Sequence, residues 1–152
     1  MNDDEAAAQI MLAANYGGRA INITATTAAH AMSYKITSLY KFPHGHAVAV
    51  CLPEIWEYMI HNMDKCLDKR GKDYLNDIFN NISEAMGAKT PSEAITIFRN
   101  MMLQMDFSNP ASDNLSSDIQ LLTSSVNPVR LKNNPIELEE TTIKTLYEII
   151  VK

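Results

Sequence analysis

The stretch Ala28-Ala29-His30-Ala31-Met32-Ser33-Tyr34-Lys35-Ile36-Thr37-Ser38-Leu39-Tyr40-Lys41-Phe42-Pro43-His44-Gly45-His46-Ala47-Val48-Ala49-Val50-Cys51-Leu52-Pro53 holds three of the four histidines. Its first part is a run of small residues with helical character around His30, and Pro43-His44-Gly45 is a place for a second helix to begin. Fourteen positions separate His30 from His44, enough for about three helical turns and a reversal, so consecutive helices can turn both rings toward one place. Neutral imidazole is a common metal ligand; a histidine on an apolar helix face can equally be a satisfied core residue. His44 and His46 are two apart, hence on different faces of a helix. Ala47 to Leu52 is apolar all round, which assigns the start of the second helix to the centre of the domain and predicts a kink at Pro53.

Outward from this stretch, the chain reads as helices. Asp3-Asp4-Glu5 precede an Ala-rich run that Tyr16-Gly17-Gly18 is expected to stop. Arg19 to Thr27 is ambiguous between helix and extended loop. On the C-terminal side, Leu75, Ile78, Phe79, Ile82 and Met86 form one stripe closed by Gly87. Thr90-Pro91-Ser92-Glu93 is a capping box, leading Ile95, Phe98, Met102 and Met105 down a second face. Ser117 and Gln120 are expected to cap a helix carrying Ile119 and Leu122. Asn127 to Pro135 is expected to be irregular, and Ile143, Leu146, Tyr147 and Ile150 mark a last amphipathic helix. No strand-type alternation of useful length occurs. The fold class is therefore all-α, one multi-helix domain of about six to eight helices over residues 1–152.

Composition narrows the function classes. Hydrophobic residues make up 46% and charged residues 20%, which excludes a disordered chain. A net charge of −5, without a basic block, argues against nucleic acid as a partner. No apolar run approaches the about 18 residues of a membrane span, and the acidic start is unlike a signal peptide. Two cysteines, Cys51 and Cys66, outside any CxxC pattern, read as thiols of a reducing compartment, so a cytoplasmic location is expected. Nine methionines against five glycines suit packed helices.

His30, the fourteen-position step to Pro43-His44-Gly45 and the following small apolar run to Leu52-Pro53 resemble the helical domain of the iron-containing alcohol dehydrogenase family. The Asp118-Ile119 and Asn134-Pro135 landmarks agree, and the resemblance spans nearly the whole chain. It implies that His30 and His44 are two of four ligands of a catalytic divalent metal, Fe²⁺ or Zn²⁺. The family's other two ligands are an Asp and a His one helical turn apart, earlier in the chain; no such pair precedes His30. The family's N-terminal dinucleotide-binding domain likewise has no counterpart in these residues, so the expectation is a half-site that NAD(P)H and a missing domain would complete. Many members carry a histidine where this chain has Tyr34. Tyr34 is then the candidate proton or hydrogen-bond donor, and His46 a second catalytic candidate on the substrate side. Asn22, Thr24 and Thr27 fall where relatives approach the nicotinamide and substrate, and are candidate cofactor or substrate contacts; their side chains can also bond back to helix carbonyls. Ser33-Tyr34-Lys35-Ile36-Thr37-Ser38-Leu39-Tyr40 is similar to members that reduce small phosphonate-bearing aldehydes, with Lys35 and Arg19 as the nearby cations.

Three functions follow for comparison. One is the metal-binding helical part of an alcohol dehydrogenase or aldehyde reductase. Another is a freestanding helical interaction module with an exposed apolar surface, which could also form a homodimer. The third is a fragment of a dehydroquinate synthase-like enzyme.

Overall fold

The structure, a computed structural model, describes residues 3–152. Eight α-helices occur among these residues: α1 (Asp4–Ile23), α2 (Ala28–Tyr40), α3 (His44–His61), α4 (Lys72–Ala85), α5 (Pro91–Gln104), α6 (Leu115–Ser125), α7 (Pro128–Leu131) and α8 (Glu140–Ile150), with a short 3₁₀ turn at Met63–Lys65. Among the described residues the single β-type contact is an isolated antiparallel bridge between Cys66 and Ile136. The all-α expectation holds. No described helix is long and apolar enough to cross a membrane.

The α2–α3 pair forms the broadest interface and the centre of the domain. Met32 and Ile36 from α2 meet Val50, Cys51 and Ile55 from α3, and α5, α6 and α8 close over them with Ile95, Leu122, Tyr147 and Ile150. The apolar first half of α3 is thus central because it has no polar face to show to water. Pro53 is buried inside α3, which runs through it. Tyr147 donates a buried hydrogen bond of 2.8 Å from α8 to the Met32 carbonyl, satisfying a hydroxyl that burial would otherwise strand. On the surface, Arg99 of α5 bridges Glu54 (2.9 Å) and Glu57 (2.6 Å) of α3.

Local signals were followed closely in α4 and α5. Gly87 takes φ +75° after α4, a conformation that favours glycine, while Ala88 N–H reaches back to the Ser83 carbonyl at 2.8 Å. Thr90 Oγ1 accepts from Glu93 N–H at 3.2 Å, and the Glu93 carboxylate accepts in turn from Lys89 N–H at 2.8 Å. Thr90→Ala should therefore lower unfolding stability by about 0.5–2 kcal/mol. Urea denaturation checks this; an unchanged midpoint would show that the cap contributes nothing.

Three expectations are corrected. Helix α1 does not stop at Gly17-Gly18; it continues to Ile23 and ends at the extended Thr24, whose hydroxyl bonds the Ala20 carbonyl at 3.1 Å. Glycine inside a helix costs only about 0.5–1 kcal/mol, and neither residue takes the positive φ that would end it. The cap of α6 is Asn114, which accepts from Ser117 N–H at 3.4 Å, rather than Ser117 or Gln120. Within Asn127 to Pro135, Asn127 caps Val129 N–H at 2.9 Å and Pro128 opens one full helical turn, α7. The α4 stripe also differs in detail: Leu75 and Phe79 are buried, whereas Ile82 is partly exposed.

Helix α1 stands apart from this core. None of its residues is buried; Met11 is 74% exposed and Ile23 84%. A helix with that many bare apolar side chains gains little from tertiary packing.

Candidate metal centre

The α2–α3 connection builds the site. Lys41 follows α2 with φ 56° and ψ 30°, reversing the chain, and Phe42-Pro43 lead directly into α3. About 9 Å of helix axis lies between Tyr34 and Tyr40, a length that the short return to His44 can retrace. His44 at the start of α3 is thereby brought level with Tyr34, and His30 lies one turn from Tyr34 on the same face of α2. The His30 and His44 ring centroids are 5.4 Å apart with planes at 67°. The Tyr34 ring stacks on His44 at 5.3 Å and 17°.

A clasp at the far end of α2 fixes the reversal. Tyr40 Oη and Ser112 Oγ each donate to Asp118 Oδ2 at 2.7 Å, joining α2 to α6 through the loop before it. The two donors, Ser112 foremost, hold the Asp118 carboxyl below its usual range. Burial, then the bond to the carboxylate, pushes the Tyr40 phenol up to about 12.

Electrostatics at His30 favour the ligand form of imidazole. Burial holds His30 below the ordinary histidine value, and the neighbouring His44 and Arg130 disfavour a further positive charge there. The folded ring thus binds its proton less readily than the unfolded one, so acidification through the ordinary imidazole range favours the unfolded chain. At neutral pH His30 keeps a free lone pair. A donor set of two imidazole nitrogens suits borderline ions such as Fe²⁺ or Zn²⁺. Among the described residues no group of three or more His, Cys, Asp or Glu side chains is placed to hold an ion.

The other predicted residues lie apart from this pair. The His46 ring is clamped between Phe42 (4.3 Å) and Phe107 (4.5 Å), and its Nε2 lies 2.8 Å from the Ser108 carbonyl. A carbonyl only accepts, so that nitrogen carries the proton, and the ring fastens α3 to the segment after α5. The structure gives His46 an anchoring place in the packing, apart from His30 and His44, because its step of two along the helix turns it to another face. Asn22 is exposed on the last turn of α1, the Thr24 hydroxyl is engaged by Ala20, and Thr27 is the half-buried N-cap position of α2 without a side-chain cap bond. These three do not converge. His61 is exposed at the end of α3 and bonds the Glu57 carbonyl at 2.9 Å.

Neither of the cations singled out in the sequence is held at the site: Arg19 lies 5.8 Å over the Tyr16 ring within α1, and Lys35 adjoins Tyr34 in sequence, turned about 100° away around α2. The cation that reaches it is Arg130 of α7. Its guanidinium sits 4.6 Å over the Tyr34 ring, and Nη1 donates to Tyr34 Oη at 2.7 Å. The Asn127-Pro128 signal could have revealed the helical turn carrying Arg130, but nothing local reveals its contact with Tyr34.

Comparison with known proteins bears on the fold and the family. The chain is 34% identical over 94 residues to the phosphonoacetaldehyde reductase of Streptomyces viridochromogenes, covering 59% of the chain and 23% of that protein. It is 34% identical over 71 residues to a probable mitochondrial hydroxyacid-oxoacid transhydrogenase of Dictyostelium discoideum, covering 38% of the chain and 13% of that protein. The chain therefore matches less than a quarter of the length of either relative. Among solved structures, an archaeal halo-thermophilic alcohol dehydrogenase from a Red Sea brine pool superimposes with a TM-score of 0.71 at 23% identity, over 88% of this chain and 35% of that one. The sulfoacetaldehyde reductase of Bifidobacterium kashiwanohense, solved with NAD⁺, gives 0.66 at 19% identity, over 82% and 31%. These two likenesses establish the fold. The family description "Fe-containing alcohol dehydrogenase family, C-terminal" matches residues 1–151, and the chain belongs to that family through its C-terminal helical part.

Proposed function

We propose that this chain is the metal-binding helical part of an NAD(P)H-dependent alcohol dehydrogenase or aldehyde reductase, with His30 and His44 as two ligands of a divalent ion. The observation that carries the proposal is the meeting of these two rings at 5.4 Å from consecutive helices. When bound, Fe²⁺ or Zn²⁺ would polarise a carbonyl as a Lewis acid, for reduction by the nicotinamide. The chain's own residues orient and protonate. His30 and His44 hold two ligand positions, and Tyr34 Oη, which accepts from Arg130, keeps its own proton for donation to the substrate oxygen. The remaining ligands would be an Asp and a His one helical turn apart on a preceding helical segment, and the nicotinamide site would come from a dinucleotide-binding domain, to which the bare apolar side chains of α1 offer a surface to cover. The same helix is what a freestanding interaction module would use.

The substrate class is a small aldehyde or alcohol with an acidic group nearby. One relative is named for an aldehyde bearing a phosphonate and another for hydroxy and oxo acids. The test compares the chain alone with the chain fused behind all of the Streptomyces reductase that precedes its matching part, which brings both the dinucleotide-binding domain and the Asp and His ligands. NADH and NADPH oxidation are followed with short-chain and phosphonate aldehydes. The isolated chain should give no turnover and the fusion should give it. A folded, metal-loaded fusion that never turns over would sink the enzyme reading; turnover by the isolated chain would refute the half-site argument.

A further inference from the structure

The inference concerns Arg130, and it deepens the metal-centre reading above and rests on it. Arg70 is paired with Asp68, and Arg99 with Glu54 and Glu57, whereas Arg130 meets no carboxylate among the described residues. What holds it is neutral: the face of Tyr34 and the phenol oxygen, to which Nη1 donates. Stacking on an aromatic ring fixes a guanidinium without neutralising it. Its segment is fixed as well. Asn127 caps the turn, and the Asn133 amide donates to the Thr26 carbonyl at 3.3 Å, pinning α7 beside the N-terminal end of α2, where His30 lies. One N–H of the guanidinium is used on the phenol, and the rest of a planar donor fork remains for an oxyanion. The side chains gathered here, two imidazoles and a phenol, contribute no negative charge to compete.

We propose that Arg130 is an anion-recognition residue that binds the acidic head group of the substrate, a phosphonate, sulfonate or carboxylate, next to the His30–His44 pair. Tyr34 joins the two parts, stacked on His44 with its ring and bonded to Arg130 through its hydroxyl. A substrate carrying a carbonyl and an acid a few bonds apart would place the first at the histidines and the second at the guanidinium. An uncharged aldehyde would leave the fork unused.

The test is an NMR titration of the full ¹⁵N-labelled chain with methylphosphonate, methanesulfonate and acetate, with neutral acetamide as control, in the presence and absence of Zn²⁺. The Arg130 side-chain N–H resonance should move saturably with at least one anion and not with acetamide, and the strongest arm identifies the acid class. Arg130→Gln should raise the Kd for that anion about tenfold or more. Arg130→Lys, which keeps the charge but not the fork, should fall between, while Lys35→Gln and Arg19→Gln should match the unmodified chain. Absence of saturable movement, or equal Kd values for the unmodified chain and Arg130→Gln, overturns the proposal. The Zn²⁺ arm separates the two readings. Anion binding at Arg130 without a zinc effect on His30 and His44 removes the metal centre and leaves the anion site, whereas zinc binding without anion binding overturns the anion site alone.

Discussion

Replacing either His30 or His44 with alanine is expected to lower the affinity of the chain for Zn²⁺ on the order of a hundredfold, because one imidazole cannot chelate. The effect should be equal for the two positions, since each contributes one ring to a pair 5.4 Å apart. His61→Ala, at the exposed end of α3, should leave affinity unchanged. His46→Ala should behave differently again: metal affinity is retained but stability falls, because the ring fills the space between Phe42 and Phe107 and ties α3 to the Ser108 carbonyl. Isothermal titration with the four variants separates these outcomes. Equal loss on replacing His46 would mean that zinc is held by the His44-Gly45-His46 segment instead of by two helices.

The largest effect on stability is expected at Tyr147. Its side chain is fully buried and reaches across the core to the carbonyl of Met32, two residues beyond His30 on α2. Tyr147→Ala removes a large aromatic from a packed core and should cost about 3–5 kcal/mol, a large share of the about 5–15 kcal/mol that holds a typical domain. Tyr147→Phe keeps the ring and loses the hydrogen bond, for a cost of about 0.5–1.5 kcal/mol. Chemical denaturation of both variants checks the difference. Equal losses would assign the whole contribution of Tyr147 to its hydroxyl, contrary to the packing argument. Because α8 supports α2 through this residue, the alanine variant should also loosen the His30 position and weaken zinc binding in parallel.

How far these features were legible follows from the range of the forces that set them. Gly87 and the Thr90–Glu93 box were readable because a helix end is decided within a few residues by backbone donors and acceptors. The central place of α3 was readable because an apolar surface on every side leaves few alternatives to burial. Gly17-Gly18 misled because glycine permits a helix to end but does not require it, and the cost of continuing is small. At the site, the fourteen-position spacing allowed His30 and His44 to meet and the family resemblance singled them out, and a single reversal at Lys41 is enough to bring them together. Arg130 was invisible for the opposite reason. Its partner Tyr34 is 96 residues away, and only the packing of α7 against α2 unites them. The fate of His46 likewise depends on Phe107 and Ser108, which no local pattern connects to it.

The most direct measurement of the metal-centre claim is a zinc titration of the chain with its histidines ¹⁵N-labelled, observing all four imidazoles at once. The account predicts that the ring nitrogens of His30 and His44 shift together and saturate at one equivalent, while those of His46 and His61 stay in place. Zinc shifts that fall on His46 or His61, or that move His30 and His44 independently, would contradict it.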